Sequence, residues 1–389
     1  MINILEISFD GLAKSDYNRR KLQKQRRKEC AKFLGKYKLI LYSRNKKQVN
    51  YAEKEAGNLE VFHIANNNLS LTFEVYRTAV NIMKANHIDI ISTTDPFACG
   101  FVGCLLKVRF KVPLNVQLHF DYFSKYYWID RWQMKKFFGF WLAKMVIGCS
   151  NTIRVVSVLQ KRRLEKIIGK RKLIEVVPTP VDLESMNPFQ LNADLCAKYR
   201  TSNQTKLLLY VGRLEEIKDL AGLLKAFQLV QEAYDDVNLL IIGIGSEEAK
   251  LKKISIDLDI DRKVLFLGSV NHSEIFSYYH GADIFVISSK AEGRSTVLTE
   301  AALSKKSIVA TKFLGAQELI VNGQTGFVVD VGDYKAFAEK VLILLNNPEM
   351  MREFGEKAYE HVSKKIEKIN DIKILVHLWE ETVKTVAGY

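Results

Sequence analysis

Residues able to do chemistry gather in two short segments of the chain's later half. Ile287–Lys305 reads I-S-S-K-A-E-G-R-S-T-V-L-T-E-A-A-L-S-K. An apolar run ends near Ile287, a polar loop carries Glu292 and Gly293, and small hydroxyl residues follow at Ser295 and Thr296. Such residues cap helix starts, so a helix is expected to begin there. The first-turn N–H groups of a helix lack partners and its dipole favours anions, which suits a diphosphate. Glu292 precedes this helix and Glu300 lies inside it. Two carboxylates beside an anion site cannot both ligate phosphate, but they can accept hydrogen bonds from sugar hydroxyls on either side of it.

The second segment, Val211–Lys218, reads V-G-R-L-E-E-I-K. Gly212 permits a tight turn out of a strand. Arg213 and Lys218 could converge on one phosphate group, the arginine through its planar fork and the lysine as a point charge. The competing reading is a set of surface ion pairs with Glu215, Glu216 or Asp219, which are worth little. Asp257-x-Asp259-x-Asp261 reads as a solvated turn, and no metal is expected. Gly243-x-Gly245 lacks the third glycine of a dinucleotide fingerprint.

The elements that must position these residues alternate. Apolar, β-branched runs at Asn3–Ser8, Lys38–Ser43, Ile88–Thr93, Pro113–Leu118, Thr152–Ser157 and Leu173–Val177 are separated by helical patterns such as Leu71–Ala85 and Trp132–Ile147. Further runs at Lys206–Val211, Asn238–Ile242, Val264–Leu267, Asp283–Ile287, Ser307–Ala310 and Gly326–Val329 repeat the arrangement, with a helix over Asp219–Tyr234. Alternation of this kind means βαβ units around parallel sheets. The fold class is α/β with two Rossmann-like domains facing across a cleft. The first is expected over 1–183, a connection over 184–203, the second over 204–365, and a last helix over 366–389 that returns to the first domain. The 389 residues suit two domains.

Composition excludes other classes. Hydrophobic residues make up 48% and charged residues 26%, a globular rather than disordered profile. Met1–Ile7 has no basic leader, no 18-residue apolar stretch occurs, and the five cysteines form no CxxC pair. A reduced, cytoplasmic setting is expected.

Several motifs stand in order along the chain: G-R-x4-K (Gly212, Arg213, Lys218), I-I-G-x-G (Ile241, Ile242, Gly243, Gly245) and V-x-F-L-G (Val264, Phe266, Leu267, Gly268). E-G-x6-E (Glu292, Gly293, Glu300) and N-G-x-T-G-F-V-V (Asn322–Val329) follow. The set resembles the family-four retaining glycosyltransferases of the GT-B fold, which use nucleotide-sugar donors. The resemblance is strongest across Lys206–Asp330 and weaker but continuous over the first domain. It implies that Arg213 and Lys218 neutralise the donor diphosphate and that Glu292 holds hydroxyls of the transferred sugar. It further implies that Gly212, Gly293, Arg294, Ser295, Thr296 and Val297 line the sugar and phosphate. Glu300 would bind the ribose, and Gly268 and Val270 would border the base. His119, closing the strand Pro113–Leu118, matches the family's active-site histidine. The family often has a Gly-Gly loop after its first strand. Here Asp10-Gly11-Leu12 has one glycine, leaving Gly11 for that contact, and Thr179-Pro180 replaces the usual Asn-Gly of the linker.

The implied reaction is front-face transfer, in which a donor phosphate oxygen takes the acceptor's proton. The leaving diphosphate gains charge, so cations and a helix start aimed at it stabilise the transition state more than the ground state. A glycosidase, by contrast, straddles the bond with two carboxylates. The donor would be a UDP-, GDP- or ADP-sugar, with no cofactor, and the acceptor a lipid-linked or cell-envelope polysaccharide. The alternatives are a soluble acceptor, such as a sugar phosphate or glucan, or a non-catalytic basic binding protein of the same fold.

Charge is uneven. Residues 1–200 hold 35 Lys and Arg against 17 Asp and Glu, or +18, whereas residues 201–389 hold 23 against 27, or −4. Asn18–Glu29 and Lys161–Lys172 carry seven cations each. Between them, Tyr122–Cys149 mixes Trp128, Trp132, Phe137, Phe138, Phe140 and Trp141 with Arg131, Lys135, Lys136 and Lys144. Aromatics beside cations fit a helix at an anionic membrane surface, here the inner face of the cell membrane. They also fit buried rings under a solvated basic face. No nucleic-acid motif accompanies the charge, so nucleic acid is not expected as a partner.

Overall fold

The computed structural model describes residues 1–9, 17–44, 50–66, 70–127, 134–181, 193–367 and 370–387. Gly11, Asp182, Trp128, Arg131 and Trp132 lie outside the described residues, as does much of the expected interdomain connection. Two compact units form, one from most of residues 1–179 together with Asn370–Tyr389, the other running from Pro180 to Ile369.

The first unit carries β1 (Ile4–Phe9), β2 (Tyr37–Ser43), β3 (Tyr51–Ala56), β4 (Leu59–Ala65), β5 (Ile90–Thr93), β6 (Leu114–Leu118), β7 (Thr152–Val155) and β8 (Leu173–Val176). They form one sheet in the order β3-β4-β2-β1-β5-β6-β7-β8, parallel except for the β3/β4 pair. That antiparallel edge hairpin is an addition to the strands expected from sequence. Its signal is Gly57-Asn58 between two short alternating runs. Asn58 anchors the turn, its amide donating to the carbonyls of Ala31 and Leu34, each at 2.7 Å.

Alternate residues of β2 divide between two cores. Ile40 and Tyr42 join one cluster with α2 (Leu71–Ala85), α3 (Ala98–Phe110) and α4 (Met134–Cys149). Leu39 and Leu41 join another with α1 (Tyr17–Ala31) and the chain's last helix, Asp371–Ala387. Because successive strand residues point to opposite faces, these clusters lie on opposite sides of the sheet. The last helix is held by fully buried Trp379, by Arg26 against Asp371 at 2.8 Å, and by Thr382 against Thr152 at 2.6 Å. A buried polar ladder crosses the sheet between. Gln117 donates to Ser92 at 2.9 Å, and Arg154 donates to Gln117 at 2.5 Å and to the Val177 carbonyl at 3.1 Å. Burial, reinforced by Arg26, brings the Arg154 pKa down to about 9. This cation of the basic half serves the interior. A helix over Val158–Ile168, α5, follows β7.

The second unit carries β9 (Lys206–Val211), β10 (Val237–Ile242), β11 (Val264–Gly268), β12 (Ile284–Ile287), β13 (Ser307–Thr311) and β14 (Phe327–Val329). All pair in parallel, in the order β11-β10-β9-β12-β13-β14. The runs of β9 and β10 are almost wholly buried, as expected of strands covered on both faces. Helices α6 (Leu220–Ala233), α7 (Glu248–Asp257), α8 (His272–Gly281), α9 (Thr296–Leu303), α10 (Leu314–Leu319), α11 (Tyr334–Leu345) and α12 (Pro348–Glu367) accompany the sheet. The last helix of the chain is α13. Within the stretch read from sequence as connection, Ala193–Tyr199 forms a 3-10 turn whose Cys196 is buried in the core of the second unit.

The chain builds outward from β9 to β10 and β11, then returns to the other side of β9 as β12. This reversal of direction between β9 and β12 parts the loops at their carboxyl ends, the place where open α/β sheets bind ligands. The I-I-G-x-G motif has a packing cause there. Gly243 has φ +141°, and a Cβ on it would lie 1.8 Å from the Gly212 carbonyl oxygen. The loops after β9 and β10 therefore touch backbone to backbone, with Gly212 donating to Ile242 at 2.9 Å and Leu214 to Ile244 at 3.0 Å. Gly243→Ala is expected to cost roughly 3 kcal/mol or more, since overpacking adds to strain. Gly323, at φ +77° with no atom within 4 Å of where a Cβ would stand, is expected to cost about 1 kcal/mol as alanine. Urea unfolding of the two variants checks the contrast.

Candidate functional site

After β9 the chain turns at Gly212 and passes through a 3-10 turn, Glu216–Lys218. Asp219 then adopts φ +50° and redirects it into α6. After β12 it forms the loop that leads to α9. The two loops are stitched together. Lys290 donates its N–H to the Ile217 carbonyl at 2.8 Å, and the Ser288 hydroxyl donates to the Lys218 carbonyl at 2.9 Å. The Lys290 ammonium lies 3.5 Å from Asp219, whose pKa burial nonetheless raises.

At the centre, the Lys218 ammonium meets Glu292 Oε1 at 2.5 Å. The Ser289 hydroxyl donates to the same oxygen at 2.6 Å. Both side chains of the ion pair are largely buried, at 15% and 8% exposure. Arg213 behaves differently. Its side chain is 71% exposed and pairs locally with Glu215 at 2.7 Å. The two cations expected to converge thus rest on different carboxylates.

The start of α9 carries the anion-site features. Ser295 caps the helix in extended conformation but makes no side-chain cap bond. Its hydroxyl is buried without a partner, and so is Arg294 Nε. Burial lowers the Arg294 pKa against the opposing effect of Glu318. Buried donors left unbonded cost free energy, about 1–3 kcal/mol each. Together with the unpaired first-turn N–H groups of α9, they are donors that a polyanion could satisfy. Gly293 is buried beside them, and Thr296 and Val297 are half-buried at the helix start.

Glu300 is buried one turn further on, where the Tyr279 hydroxyl donates to its Oε2 at 3.0 Å. Tyr279 and Ser289 escape the sequence reading because nothing in a lone hydroxyl's spacing marks it as a partner of a distant carboxylate. Gly268 ends β11 with φ +68°, its carbonyl accepting from Gly243 at 2.8 Å, and Val270 rests half-buried against the core.

His119 lies in the first unit, on the loop leaving β6. Gln160 of α5 donates to the flanking carbonyls of Leu118 at 3.2 Å and Phe120 at 2.8 Å. Arg163 pairs with the neighbouring Asp121, whose carboxyl burial raises to about 6. The imidazole is partly exposed, yet desolvation and the charges of Arg154 and Arg26 hold its pKa well below the ordinary value. It is a neutral ring at neutral pH. Among the described residues no group of three or more His, Cys, Asp or Glu could hold a metal ion.

Two outcomes follow from this geometry. Lys218→Met leaves a buried carboxylate uncompensated and is expected to lose roughly 2–4 kcal/mol. Adding Glu292→Gln should recover much of that loss in a double-mutant cycle. A depressed histidine pKa means that the unfolded chain takes up a proton near pH 6.5 that the native state does not. Stability carried by His119 is therefore whole above that pH and is lost as pH falls below it. Its ring proton resonance should titrate below the ordinary histidine range.

Comparison with known proteins agrees with the fold. The family model of glycosyl transferases group 1 matches residues 194–361, and that of glycosyltransferase family 4 matches residues 37–185. Together they span about four-fifths of the chain. The capsular polysaccharide biosynthesis glycosyltransferase CapM of Staphylococcus aureus is 29% identical over 239 residues, 59% of this chain and 62% of that one. Among solved structures, sucrose-phosphate synthase from Thermosynechococcus elongatus aligns over the whole of both chains with a TM-score of 0.77 and 18% identity. Anabaena HepE in complex with UDP-glucose also aligns over the whole of both chains, with a TM-score of 0.71 and 17% identity. Two such domains, each matched by its own glycosyltransferase family, make this chain a member of the family-four glycosyltransferases of GT-B type.

Proposed function

We propose that the protein transfers a hexosyl group from a nucleotide-sugar to a lipid-linked or cell-envelope polysaccharide acceptor, with retention of anomeric configuration. The observation that carries the reading is the α9 start, where Ser295 Oγ and Arg294 Nε are buried donors without partners. It adjoins Glu292, whose carboxylate pairs with Lys218 of the loop after β9. A donor diphosphate there would accept from the first-turn N–H groups and compete with Glu292 for the Lys218 ammonium. Glu292, still held by Ser289, would turn its acceptor capacity to sugar hydroxyls. Arg213 is free to swing from its exposed pairing with Glu215, which is worth little. Glu300, with Tyr279 on one oxygen, would take the ribose.

In the transfer step the glycosidic bond to the diphosphate breaks and its electron pair goes to the leaving phosphate oxygen. The acceptor oxygen bonds to the same face of the anomeric carbon, and its proton passes to a donor phosphate oxygen. Lys218, Arg213 and the helix start face the charge that grows on the leaving group, so they lower the barrier. No metal is invoked, because these groups meet the diphosphate charge. Neutral His119, in the first unit, would offer its ring to a hydroxyl group without adding a positive charge.

Two comparisons support donor and acceptor class: HepE is held with UDP-glucose, and CapM is named for capsular polysaccharide biosynthesis. No described helix is long and apolar enough to cross a membrane. We place the enzyme peripherally on the cytoplasmic face of the cell membrane.

A screen of UDP-, GDP- and ADP-sugars by thermal shift should show one nucleotide class raising the melting temperature, as a ligand of the native state alone must. With that donor, Lys218→Ala and Glu292→Ala should each slow transfer by roughly 10²–10³-fold. Transfer at the wild-type rate in both variants would overturn the proposal.

A further inference from the structure

The aromatic stretch of the first unit turns outward. On α4 the exposed positions are Phe137, Phe138, Trp141 and Met145, at 60%, 62%, 53% and 49% exposure. On α3 they include Phe101, Leu105 and Val108, at 37%, 41% and 76%. Both stripes have helical spacing, so each is one face of its helix. The opposite faces, with Val102 and Leu106 of α3 and Val146 and Ile147 of α4, enter the same core cluster. The two helices are immediate neighbours. A Cβ on Gly100 of α3 would lie 2.5 Å from Cγ1 of Val146 in α4. Two adjacent helices seated on one side of a sheet present their outer faces in the same direction. Each helix therefore turns an apolar stripe away from the sheet.

The two helices themselves carry cations and no acidic residue. No acidic residue occurs in residues 96–120 or 131–164. Not every cation there is available. The Lys107 ammonium donates to the Cys149 carbonyl at 2.6 Å, and Lys172 donates to those of Ile147 at 2.7 Å and Gly148 at 2.6 Å. These two lysines cap the carboxyl end of α4. Arg109 and Lys111 remain exposed at the end of α3. The Lys144 ammonium sits over the rings of Phe140 and Trp141, at 5.0 and 5.4 Å.

We infer that the outer face of α3 and α4 is the surface by which the protein lies on an anionic lipid bilayer. Phe137, Phe138, Trp141 and Val108 enter the interface, and Arg109, Lys111 and Lys144 reach the headgroups. The inference deepens the proposed function by naming the surface on which its acceptor would lie. An apolar stripe flanked by cations alone is the pattern of an interfacial helix. At 16 residues α4 is too short to span. A second copy of the chain fits poorly, because a two-fold contact would set the same cations against each other.

Flotation with phosphatidylcholine vesicles, with and without phosphatidylglycerol and at low and physiological salt, tests the inference. The wild-type chain should float with the anionic vesicles, less so at high salt. Phe138→Ser/Trp141→Ser should lower partition at least about tenfold, and Val108→Ser should lower it less. These side chains are solvent-facing, so the thermal shift given by the donor sugar should be unchanged in the variants, which also reports intact folding. Absence of vesicle binding overturns the inference, as does binding that the double substitution leaves intact. Light scattering that shows a wild-type dimer split by the same substitutions overturns it in favour of a second copy. The two proposals fail separately: flotation without any nucleotide-sugar response sinks the transferase reading alone, and donor response without flotation sinks the lipid surface alone.

Discussion

One ion pair organises the second domain. Lys218 belongs to the loop after β9 and Glu292 to the loop after β12, and their contact at 2.5 Å closes the point where the sheet's order reverses. A buried pair of charges is costly to desolvate and is kept only where geometry and further hydrogen bonds compensate. Here Ser289 bonds the same carboxylate oxygen, and a backbone bond runs from Lys290 to Ile217 beside it. The constraint reaches outward. The loop carrying Lys218 must lie flat against the loop after β10, which is why Gly243 has no room for a side chain.

The same pair explains how a domain of net charge −4 can suit a polyanionic donor. Net charge matters less than the few groups aimed at one point. Lys218, the start of α9 and the unbonded donors of Arg294 and Ser295 lie along two adjoining loops, in a setting dry enough for each to count. Glu292 and Glu300 contribute negative charge to the domain, yet each already holds a hydroxyl in place, Ser289 for the first and Tyr279 for the second. Carboxylates so positioned keep lone pairs for further hydroxyl donors.

In the first domain the excess of cations divides by task. Arg154 is committed to a buried polar ladder, Arg26 to Asp371 of α13, Arg163 to Asp121, and Lys107 and Lys172 to the end of α4. What is left for an external partner is smaller than +18 suggests, and the part of it at α3 and α4, Arg109, Lys111 and Lys144, borders an apolar face rather than a polar one. That arrangement suits a lipid surface, which takes up apolar side chains and attracts cations together.

The alternation of apolar runs and helical patterns was enough to determine two parallel α/β domains, because side-chain period is a local property. The spacing of Arg213, Lys218, Glu292 and Glu300 likewise pointed to the two segments that form the candidate site, since each motif spans less than a dozen residues. The β3–β4 hairpin was less legible, its exposed edge strand lacking the apolar run that marks the others. Of the partners of the site residues, the sequence offered only Glu215 for Arg213, two residues away on the same loop. That Lys218 rests on Glu292, or that Tyr279 reaches Glu300, depends on which strands become neighbours. Phe138 and Trp141 face water while Val146 and Ile147 are buried, although all four look equally apolar in the sequence. Only the packing of α4 on the sheet decides this, because burial is set by contacts between residues far apart in the chain, and local pattern carries no record of them.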